Sequence, residues 1–304
     1  MTKPVSAAPG AADTEALTHP RPAFVTGGTM PPEEGRDTPL IPDQRRELLI
    51  TLLREHAVLS VHQLTELLAV SHMTVRRDIA ALERQGRAVS VPGGVRIAGQ
   101  LHQEPSFVDK STMDTPAKLA IAELAASFLH DDTTVYLDAG TTCQALVPHL
   151  AKRRGMTVVT NDFTSANSLM ATPGVEVIHT GGRVEPANRS AVGQLAAATL
   201  GQLALDIAFV STSSWDLRHG VTTPSAAKVE VKRAAMAVAA RTVLVGGSAK
   251  YGSFGSYRVA GLEDFDAIVT DAGLPASARE ALAAQDVDTL IAPVLDRGVP
   301  ATRP

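Results

Sequence analysis

Residues 117–293 alternate between short β-branched runs and longer helical segments, and this alternation constrains the fold more than any other feature of the sequence. The β-branched runs lie at residues 135–137, 157–160, 175–180, 207–210 and 243–245. Between them lie polar loops and stretches rich in alanine and leucine. This order is typical of a mostly parallel sheet covered by helices. The sequence therefore predicts an α/β fold for this region.

The remainder of the chain divides into four segments of different composition. Eight prolines fall within residues 1–42, and the few apolar residues there cannot offset the entropy of ordering the segment, so we expect a disordered tail. Residues 43–99 have the apolar periodicity of a compact module. Residues 100–116 are polar and predict a linker to the α/β domain at 117–293. Residues 294–304 predict a loose tail.

Composition favours a reducing compartment and excludes a membrane-spanning protein. The single cysteine, Cys143, cannot form an intrachain disulfide. The sequence has no run of about 18 apolar residues, and its N-terminus lacks the basic and apolar regions of a secretory signal. We therefore expect a cytoplasmic protein with no membrane partner.

Charge is distributed unevenly along the chain. The net charge is −4 and the sequence pI is about 6.1, yet residues 43–99 contain eight Lys and Arg residues against six Asp and Glu. DNA binding requires a local basic face and not a basic protein. The composition therefore permits a DNA-binding module in this segment.

Three helices are predicted in this module. The first begins near Asp43 and the second near Ser60, and a short turn at residues 69–71 leads to the third, whose N-cap is Ser71. The predicted buried stripe of the third helix comprises Val75, Ile79 and Leu82. The side chains left facing solvent near its N-terminus are His72, Met73, Thr74, Arg76 and Arg77. A recognition helix presents this end to the major groove and to the adjacent phosphates.

A β-hairpin is predicted at residues 87–97, where the residues alternate on both sides of Pro92-Gly93-Gly94. Arg87 and Arg96 would place positive charge beside a DNA backbone. Three helices followed by a hairpin form a winged helix-turn-helix. The predicted DNA-binding residues are Ser71, His72, Met73, Thr74, Arg76, Arg77, Arg87, Gly93, Gly94 and Arg96. The alternative is a three-helix interaction domain whose third helix is a solvated, charged surface.

A phosphate-binding loop is predicted where the first strand of the α/β domain ends. Asp138-Ala139-Gly140-Thr141-Thr142 follows this strand and precedes a helix. A glycine and two hydroxyls at a helix N-terminus offer donors to an anion, although an ordinary helix cap would explain them equally well. Other strands also end in polar loops, which contain Asn161, Gly181, Gly182, Ser211 and Lys250. Ligands bind beyond the carboxyl ends of parallel strands, so we expect these loops to line one pocket.

The third helix and the hairpin also carry a recognisable motif. It consists of Val70, Ser71, Thr74, Val75, Arg76, Arg77, Asp78 and Ile79, followed by a Gly-Gly hairpin. The stretch from Arg46 to Gly94 resembles the DeoR-type helix-turn-helix, although Pro92 stands where that family commonly has histidine. The resemblance continues over residues 104–292, with Asp138-x-Gly-Thr-Thr and Ser248-x-Lys250 among the matching motifs.

This resemblance implies a fold, a ligand and a set of site residues. DeoR-type sensor domains resemble the ribose-5-phosphate isomerase superfamily and commonly bind phosphorylated sugars. The implied fold class is α/β, with an N-terminal winged helix-turn-helix followed by a sensor domain of that type. The implied effector-binding residues are Asp138, Gly140, Thr141, Thr142, Asn161, Gly181, Gly182, Ser211, Glu230 and Lys250, with Lys232 as a weaker candidate.

One loop departs from the related isomerases. It reads Ser211-Thr212-Ser213-Ser214 where those enzymes carry acidic residues. Sugar isomerisation needs a positioned acid and base, so we predict binding without turnover. Cys143 has no identified histidine partner that would make it a nucleophile. No histidine spacing predicts a metal site, and no cofactor is expected.

The sequence thus predicts a transcriptional repressor of sugar or carbohydrate metabolism genes. Its expected partners are a double-stranded DNA operator, a phosphorylated sugar and further copies of the same chain in a homo-oligomer. An activator remains an alternative, because the sign of regulation depends on operator position. The alternative from another class is a sugar-phosphate isomerase with an accessory DNA-binding module.

Overall fold

The structure is a computed structural model that describes residues 40–56, 58–91 and 93–293. The tail predicted at residues 294–304 lies outside these ranges, as does the tail predicted at 1–42 apart from its last three residues. Of those three, Pro42 already begins the first helix.

The described residues form eleven α-helices and seventeen strands, numbered in chain order. The helices are α1 Pro42–His56, α2 Val61–Leu68, α3 His72–Arg84, α4 Phe107–Thr112, α5 Thr115–Ala125, α6 Thr141–Gln144, α7 Val147–Leu150, α8 Phe163–Met170, α9 Gln194–Leu200, α10 Ala226–Val238 and α11 Ala276–Ala284. The strands are β1 Val58–Leu59, β2 Ala88–Val91, β3 Gly94–Ile97, β4 Gly99–Leu101, β5 Thr134–Leu137, β6 Met156–Thr160, β7 Val175–His179, β8 Arg183–Glu185, β9 Ser190–Val192, β10 Ile207–Ser211, β11 Ser214–Asp216, β12 Gly220–Thr223, β13 Thr242–Val245, β14 Ser253–Gly255, β15 Tyr257–Ala260, β16 Ala267–Asp271 and β17 Thr289–Ala292.

The N-terminal module is a winged helix-turn-helix, as the sequence predicts. Ser60 caps α2 in a capping box with Gln63, and Ala69 ends the helix in the left-handed conformation at φ 51°. Ser71 then caps α3 by accepting from the backbone N–H of Thr74. The core of the module includes Leu49, Leu53, Leu64, Val75 and Leu82, each at most 1% exposed.

The wing is a three-stranded sheet and not a simple hairpin. β2 and β3 pair antiparallel through a two-residue loop, and β1 adds to the other edge of β3, in the order β1-β3-β2. The backbone of β1 passes so close to Gly94 that a Cβ there would lie 2.4 Å from the carbonyl oxygen of Leu59. Glycine is therefore required at this position for close packing.

A seven-stranded parallel sheet forms the centre of the larger domain, in the order β17-β16-β13-β10-β5-β6-β7. Its central strands are buried on both faces, which explains their nearly continuous apolar sequences. One face packs against α9, α10 and α11, and the other against α5, α6 and α7. The carboxyl ends of all seven strands therefore lie along one edge of the sheet, which positions the polar loops.

Residues 100–116, predicted as a linker, are structured and belong to the sensor-domain surface. β4 pairs in parallel with β14 of the larger domain. Ser106 and Asp109 form a capping box at the start of α4, whose Phe107 is buried. The low apolar content of this segment gave no sign of these elements. β4 forms only because it pairs with a strand more than 150 residues away in the sequence.

The wing packs directly on the larger domain. Val89 of β2 is 2% exposed, and a Cβ at Gly252 would lie only 2.5 Å from the Cβ of Val89. Glu83 of α3 accepts a hydrogen bond from the Ser277 hydroxyl at 2.9 Å. The two domains therefore share an interface through the wing and the end of α3. Across the three described ranges, we find no helix of the length and apolarity required to span a bilayer.

Candidate DNA-binding face and effector pocket

The N-terminal half of α3 presents an exposed, cationic surface. His72, Met73, Arg76 and Arg77 are exposed and Thr74 is half-buried, while Val75 and Ile79 point into the core. Neither Arg76 nor Arg77 has a hydrogen bond or ion pair with any residue in the described ranges. Two guanidinium groups with no partner among the described residues, on the exposed N-terminal half of α3, are suited to phosphates and guanine edges.

The position of α3 is fixed by an ion pair with the first helix. Asp78 of α3 is 2% exposed and receives two bonds from the Arg45 guanidinium of α1, one of them at 3.2 Å. This bidentate geometry is directional. The ion pair therefore fixes the rotation of α3 about its own axis, and with it the direction in which Arg76 and Arg77 point.

The predicted wing residues lie in different surroundings. Gly93 is exposed at the tip of the wing, and Arg87 forms an ion pair with Glu47 of α1. Arg96 instead points toward the larger domain, where it donates to the carbonyl oxygen of Tyr251 at 3.3 Å and to the Ser253 hydroxyl at 3.1 Å. In this arrangement its guanidinium is not free to contact a DNA phosphate. The reason is strand alternation, because Val95 faces the module core and Arg96 consequently faces the other domain.

Four of the predicted pocket residues come together at the carboxyl edge of the sheet. Asp138 accepts from the backbone N–H of Ser211 at 2.9 Å and from its hydroxyl at 2.7 Å. The Oδ1 of Asn161 accepts from the backbone N–H of Ala139 at 2.9 Å. Gly140 lies against Ser211, such that a Cβ at Gly140 would be 3.2 Å from the serine Oγ. The strand ends thus form one polar, hydrogen-bonded floor.

Lys232, the weaker candidate in the sequence, is central to this floor. Its ammonium forms an ion pair with Asp138 and donates to the Ser211 carbonyl oxygen at 2.7 Å, and both charged side chains are at most 5% exposed. The residue comes from α10, almost a hundred positions after Asp138. The family resemblance named it only as a weaker candidate, and the sequence offered no signal of its partner.

A second charged cluster lies beside the floor, and sequence reasoning missed it. Glu104 binds Lys110 of α4 at 2.8 Å and also forms an ion pair with Lys228 of α10. Lys110 additionally donates to the side-chain oxygen of Asn188. A small polar cavity is lined by Glu104, Asn188 and Lys228 of this cluster. Its other lining residues include those of the floor, Asp138, Asn161, Ser211 and Lys232. The available signal was Glu104-Pro105-Ser106-Phe107, the start of the region 104–292 over which the family resemblance continues, but this run of residues indicated no chemical role by itself.

Lys250 and Thr142 lie at a neighbouring cavity of about 200 Å³, which also includes Lys118 and the wing residues Ser90 and Val91. Lys250 donates to the carbonyl oxygen of Thr212. Burial lowers the pKa of Lys250 to about 8, and the ammonium groups of Lys110, Lys232 and Lys118 act in the same direction, against Glu104. The cavity therefore carries both charges, with Lys118 and Lys250 beside Asp114 and Asp271, and no carboxylate of the described residues forms an ion pair with Lys250.

Two family models match nearly the whole of the two described domains. The DeoR-like helix-turn-helix domain matches residues 45–100, and the DeoR C terminal sensor domain matches residues 113–272, more than half of the chain. The chain belongs to the DeoR family. It is a DNA-binding transcriptional regulator with a sensor domain, and the predicted family and fold class are confirmed.

Individual relatives agree with this assignment. The uncharacterized HTH-type transcriptional regulator YgbI of Escherichia coli (strain K12) is 44% identical over 253 residues, which cover 83% of this chain and 99% of the relative. The putative aga operon transcriptional repressor of Escherichia coli O157:H7 is 32% identical over 250 residues, or 82% of this chain and 93% of the relative. Among solved structures, ribose 5-phosphate isomerase A from Methanocaldococcus jannaschii aligns with a TM-score of 0.33 and 14% identity, over 44% of this chain and 53% of that chain.

Three predicted effector residues of this DeoR-family regulator lie apart from the polar floor. Gly181 is exposed, and Gly182 packs against Ala196 of α9. Glu230 is exposed on α10, two residues from Lys232. Successive side chains on a helix point about 100° apart, so Lys228 and Lys232, four residues apart, share the face that Glu230 does not. Thr141 is half-buried at the start of α6, beside Thr142.

Cys143 is unsuited to nucleophilic chemistry in this DeoR-family regulator. The side chain is fully buried, with its sulfur 3.7 Å from the Phe209 carbonyl oxygen. Burial, together with the nearby Asp138 carboxylate, raises the pKa of the thiol well above its ordinary value. The thiol therefore behaves as a small apolar core group.

The lowered pKa of Lys250 leads to a pH prediction. A phosphate dianion at this edge of the sheet would favour the charged form of Lys250, as the Glu104 carboxylate does, so above about pH 8 binding must take up a proton and affinity falls by up to about tenfold per pH unit. Below that pH the affinity is flat, because the amine is already charged. Calorimetric titration of an active sugar phosphate from about pH 7 to about pH 9.5 tests this, since the phosphate itself stays dianionic throughout. Lys250→Met should abolish the dependence, and a constant wild-type affinity would contradict the placement of Lys250 at the ligand.

Proposed function

We propose that this regulator is a repressor of sugar or carbohydrate metabolism genes and that a phosphorylated sugar controls its hold on DNA. The observation that carries the proposal is the exposed N-terminal half of α3, where Arg76 and Arg77 have no protein partner in the described ranges. The relative named as a putative aga operon repressor supports the sign of regulation. A chromosomal operator would place the protein in the cytoplasm.

We propose that DNA is read by Ser71, His72, Met73, Thr74, Arg76 and Arg77, with backbone contacts from Arg87, Gly93 and Gly94. A single recognition helix covers only one half-site, so we propose a homo-oligomer that pairs two winged helices on a repeated operator. The effector then acts by favouring one arrangement of the pair, because a ligand that binds both arrangements equally shifts nothing.

The polar floor and its lysines support an anionic effector. Lys228, Lys232 and Lys250 converge on neighbouring cavities at the carboxyl edge of the sheet. Cationic side chains at this edge suit a phosphate group, while Ser211 and Asn161 suit sugar hydroxyls. We propose this edge as the effector site, with Asp138 holding the floor in shape and Gly140, Thr141 and Thr142 beside it.

We propose binding without turnover. Asp138 is tied to Lys232 and Ser211, and Asp216 binds His219 and the backbone N–H of Arg218 at 2.8 Å. Carboxylates held in this way are poorly placed to exchange protons with a sugar. Incubation of the purified protein with pentose phosphates separates the alternatives, since isomerisation at enzymatic rates would favour an isomerase with an accessory DNA module.

The Arg76→Ala/Arg77→Ala double variant tests the recognition face. Each arginine that contacts a base should contribute about 1–3 kcal/mol, so the double variant should bind operator at least about tenfold more weakly. The measurement is fluorescence anisotropy on duplexes that the wild-type protein selects from a random pool. Arg154→Ala, which removes an exposed arginine of the sensor domain, is the matched control and should bind as wild type. Unchanged affinity of the double variant would refute the assignment of α3.

The effector is tested on the same duplexes. We expect a subset of phosphorylated sugars and polyols to raise the melting temperature of the protein by mass action and to release it from DNA. The unphosphorylated parent sugars provide the control. A set of sugar phosphates that neither stabilises the protein nor changes DNA binding would count against the proposed effector class.

A further inference from the structure

Glu104 separates two cavities at the carboxyl edge of the sheet. The inner cavity, which contains the polar floor, has a volume of about 10 Å³. The outer cavity is about 180 Å³ and opens between His102, Pro105 and Pro224. Glu104, Asn188 and Lys228 line both. A space of about 10 Å³ holds roughly one water molecule, so a sugar phosphate reaches the floor only if a lining side chain such as that of Glu104 moves.

Glu104 is held there by charge. Its carboxylate contacts the ammonium groups of Lys110 and Lys228, and the three side chains are only 15%, 10% and 9% exposed, respectively. Burial alone would raise the pKa of Glu104, but the two ammonium groups outweigh it and hold the pKa well below the ordinary value. The carboxylate thus lies between two lysines in a partly desolvated site near Asn188, and Lys228 has a second, longer ion pair with Glu185 at 3.4 Å.

We propose that Lys110 and Lys228 form the anion-binding end of the effector pocket, and that the Glu104 carboxylate occupies this end until the phosphate of the effector displaces it. The inference rests on the proposed function and adds the site of the phosphate. A phosphate dianion carries more charge than a carboxylate and has three acceptor oxygens, so it can replace Glu104 on both lysines. Displacement joins the inner cavity to the outer one and admits the sugar to the floor.

The position of Glu104 in the chain gives the exchange a consequence for DNA binding. Glu104 lies three residues after the end of β4, in the segment that connects the winged module to the sensor domain. β4 pairs with β14, and the Ser253 hydroxyl at the start of β14 accepts a hydrogen bond from Arg96 of the wing. Displacement of Glu104 removes the anchor at one end of this connection. The effector therefore weakens the contact between the winged module and the sensor domain.

The Glu104→Gln variant tests the exchange with inorganic phosphate as the probe. The amide keeps the shape of the side chain but removes the negative charge that competes with phosphate for the two lysines. We expect Glu104→Gln to bind phosphate about tenfold or more tightly than wild type, measured by isothermal titration calorimetry. The matched control is Glu123→Gln, which removes an exposed carboxylate of α5 and should leave phosphate affinity unchanged. Lys228→Met provides a second, independent test and should weaken phosphate binding about tenfold.

Hydrogen exchange of the amides at residues 99–113 reports the release of the connecting segment. Phosphate should speed exchange there in wild type, whereas Glu104→Gln should already exchange fast without it. The proposal is wrong if Glu104→Gln binds phosphate no more tightly than Glu123→Gln, including the case in which neither binds. The proposed function fails separately, if phosphate binds as expected but no sugar phosphate releases the protein from DNA.

Discussion

The Lys232→Met variant is expected to lose about 3–5 kcal/mol of unfolding free energy in the sensor domain. Lys232 and Asp138 form a buried ion pair, and removal of one partner leaves the other charge without compensation in the interior. Methionine fills a similar volume, so the loss comes from the charge and not from a cavity. Urea unfolding followed by the fluorescence of Trp215, the single tryptophan of the chain and fully buried in this domain, measures the loss directly.

Two controls separate the ion pair from a general effect of the substitution. Lys152→Met removes an exposed lysine and should change the unfolding free energy by less than about 0.5 kcal/mol. Lys232→Met/Asp138→Asn removes both charges and should be more stable than Lys232→Met alone, because a neutral amide is cheaper to bury than an unpaired carboxylate. A double variant that is less stable than either single variant would contradict this account of the floor.

The Asp78→Ala variant is expected to lose about 3 kcal/mol of stability in the winged module, together with most of its operator affinity. Asp78 is almost fully buried and holds the Arg45 guanidinium, which is itself 12% exposed and so regains some water when the pair is broken. The loss therefore lies at the lower end of the range for a buried pair. Because the ion pair fixes α3 against α1, we expect Asp78→Ala to lower the affinity for the operator even though Asp78 is buried and cannot contact the DNA itself.

Hydrogen exchange of the α1 and α3 amides and anisotropy on the selected duplexes measure these two effects. Glu66→Gln changes an exposed carboxylate of the neighbouring helix, which pairs with the exposed His62, and should cost less than about 0.5 kcal/mol. Phosphate binding by the sensor domain should survive Asp78→Ala. Wild-type operator affinity in Asp78→Ala would show that the ion pair does not position the recognition helix.

Local sequence signals were sufficient to predict the winged module and the central strands of the parallel sheet. The cap residues Ser60 and Ser71 hydrogen-bond within three residues of their own position, so the start of each helix is visible in a short window of sequence. The central strands of the parallel sheet are buried on both faces, and their nearly continuous apolar runs reveal them. The small strands β8, β9 and β11 lack such runs, and their pairing depends on neighbours and not on their own composition.

Local sequence signals predicted only part of the effector pocket. Asp138, Asn161 and Ser211 follow apolar strands, and the rule that parallel strands end at one edge brought them together correctly. Lys232 and Lys228 come from a helix, whose rotation about its own axis decides which side chains reach the edge. That rotation placed both lysines inward and Glu230 outward. No local pattern distinguishes these residues, since all three are charged side chains within one turn and a half of helix.

The sequence by itself determined the family, the two domain types, the exposed face of α3 and the edge of the sheet that carries the polar loops, because caps, periodicity and motif spacing are local properties. Only the tertiary structure decided that Arg96 faces the sensor domain, that Lys232 neutralises Asp138 and that Glu104 fills the space between Lys110 and Lys228. The contacts of Arg96 with Tyr251, of Lys232 with Asp138 and of Lys228 with Glu104 join residues that lie far apart in the chain. They form because a buried charge needs an opposite charge or a hydrogen-bond partner, and the packing of the whole domain determines which one is within reach.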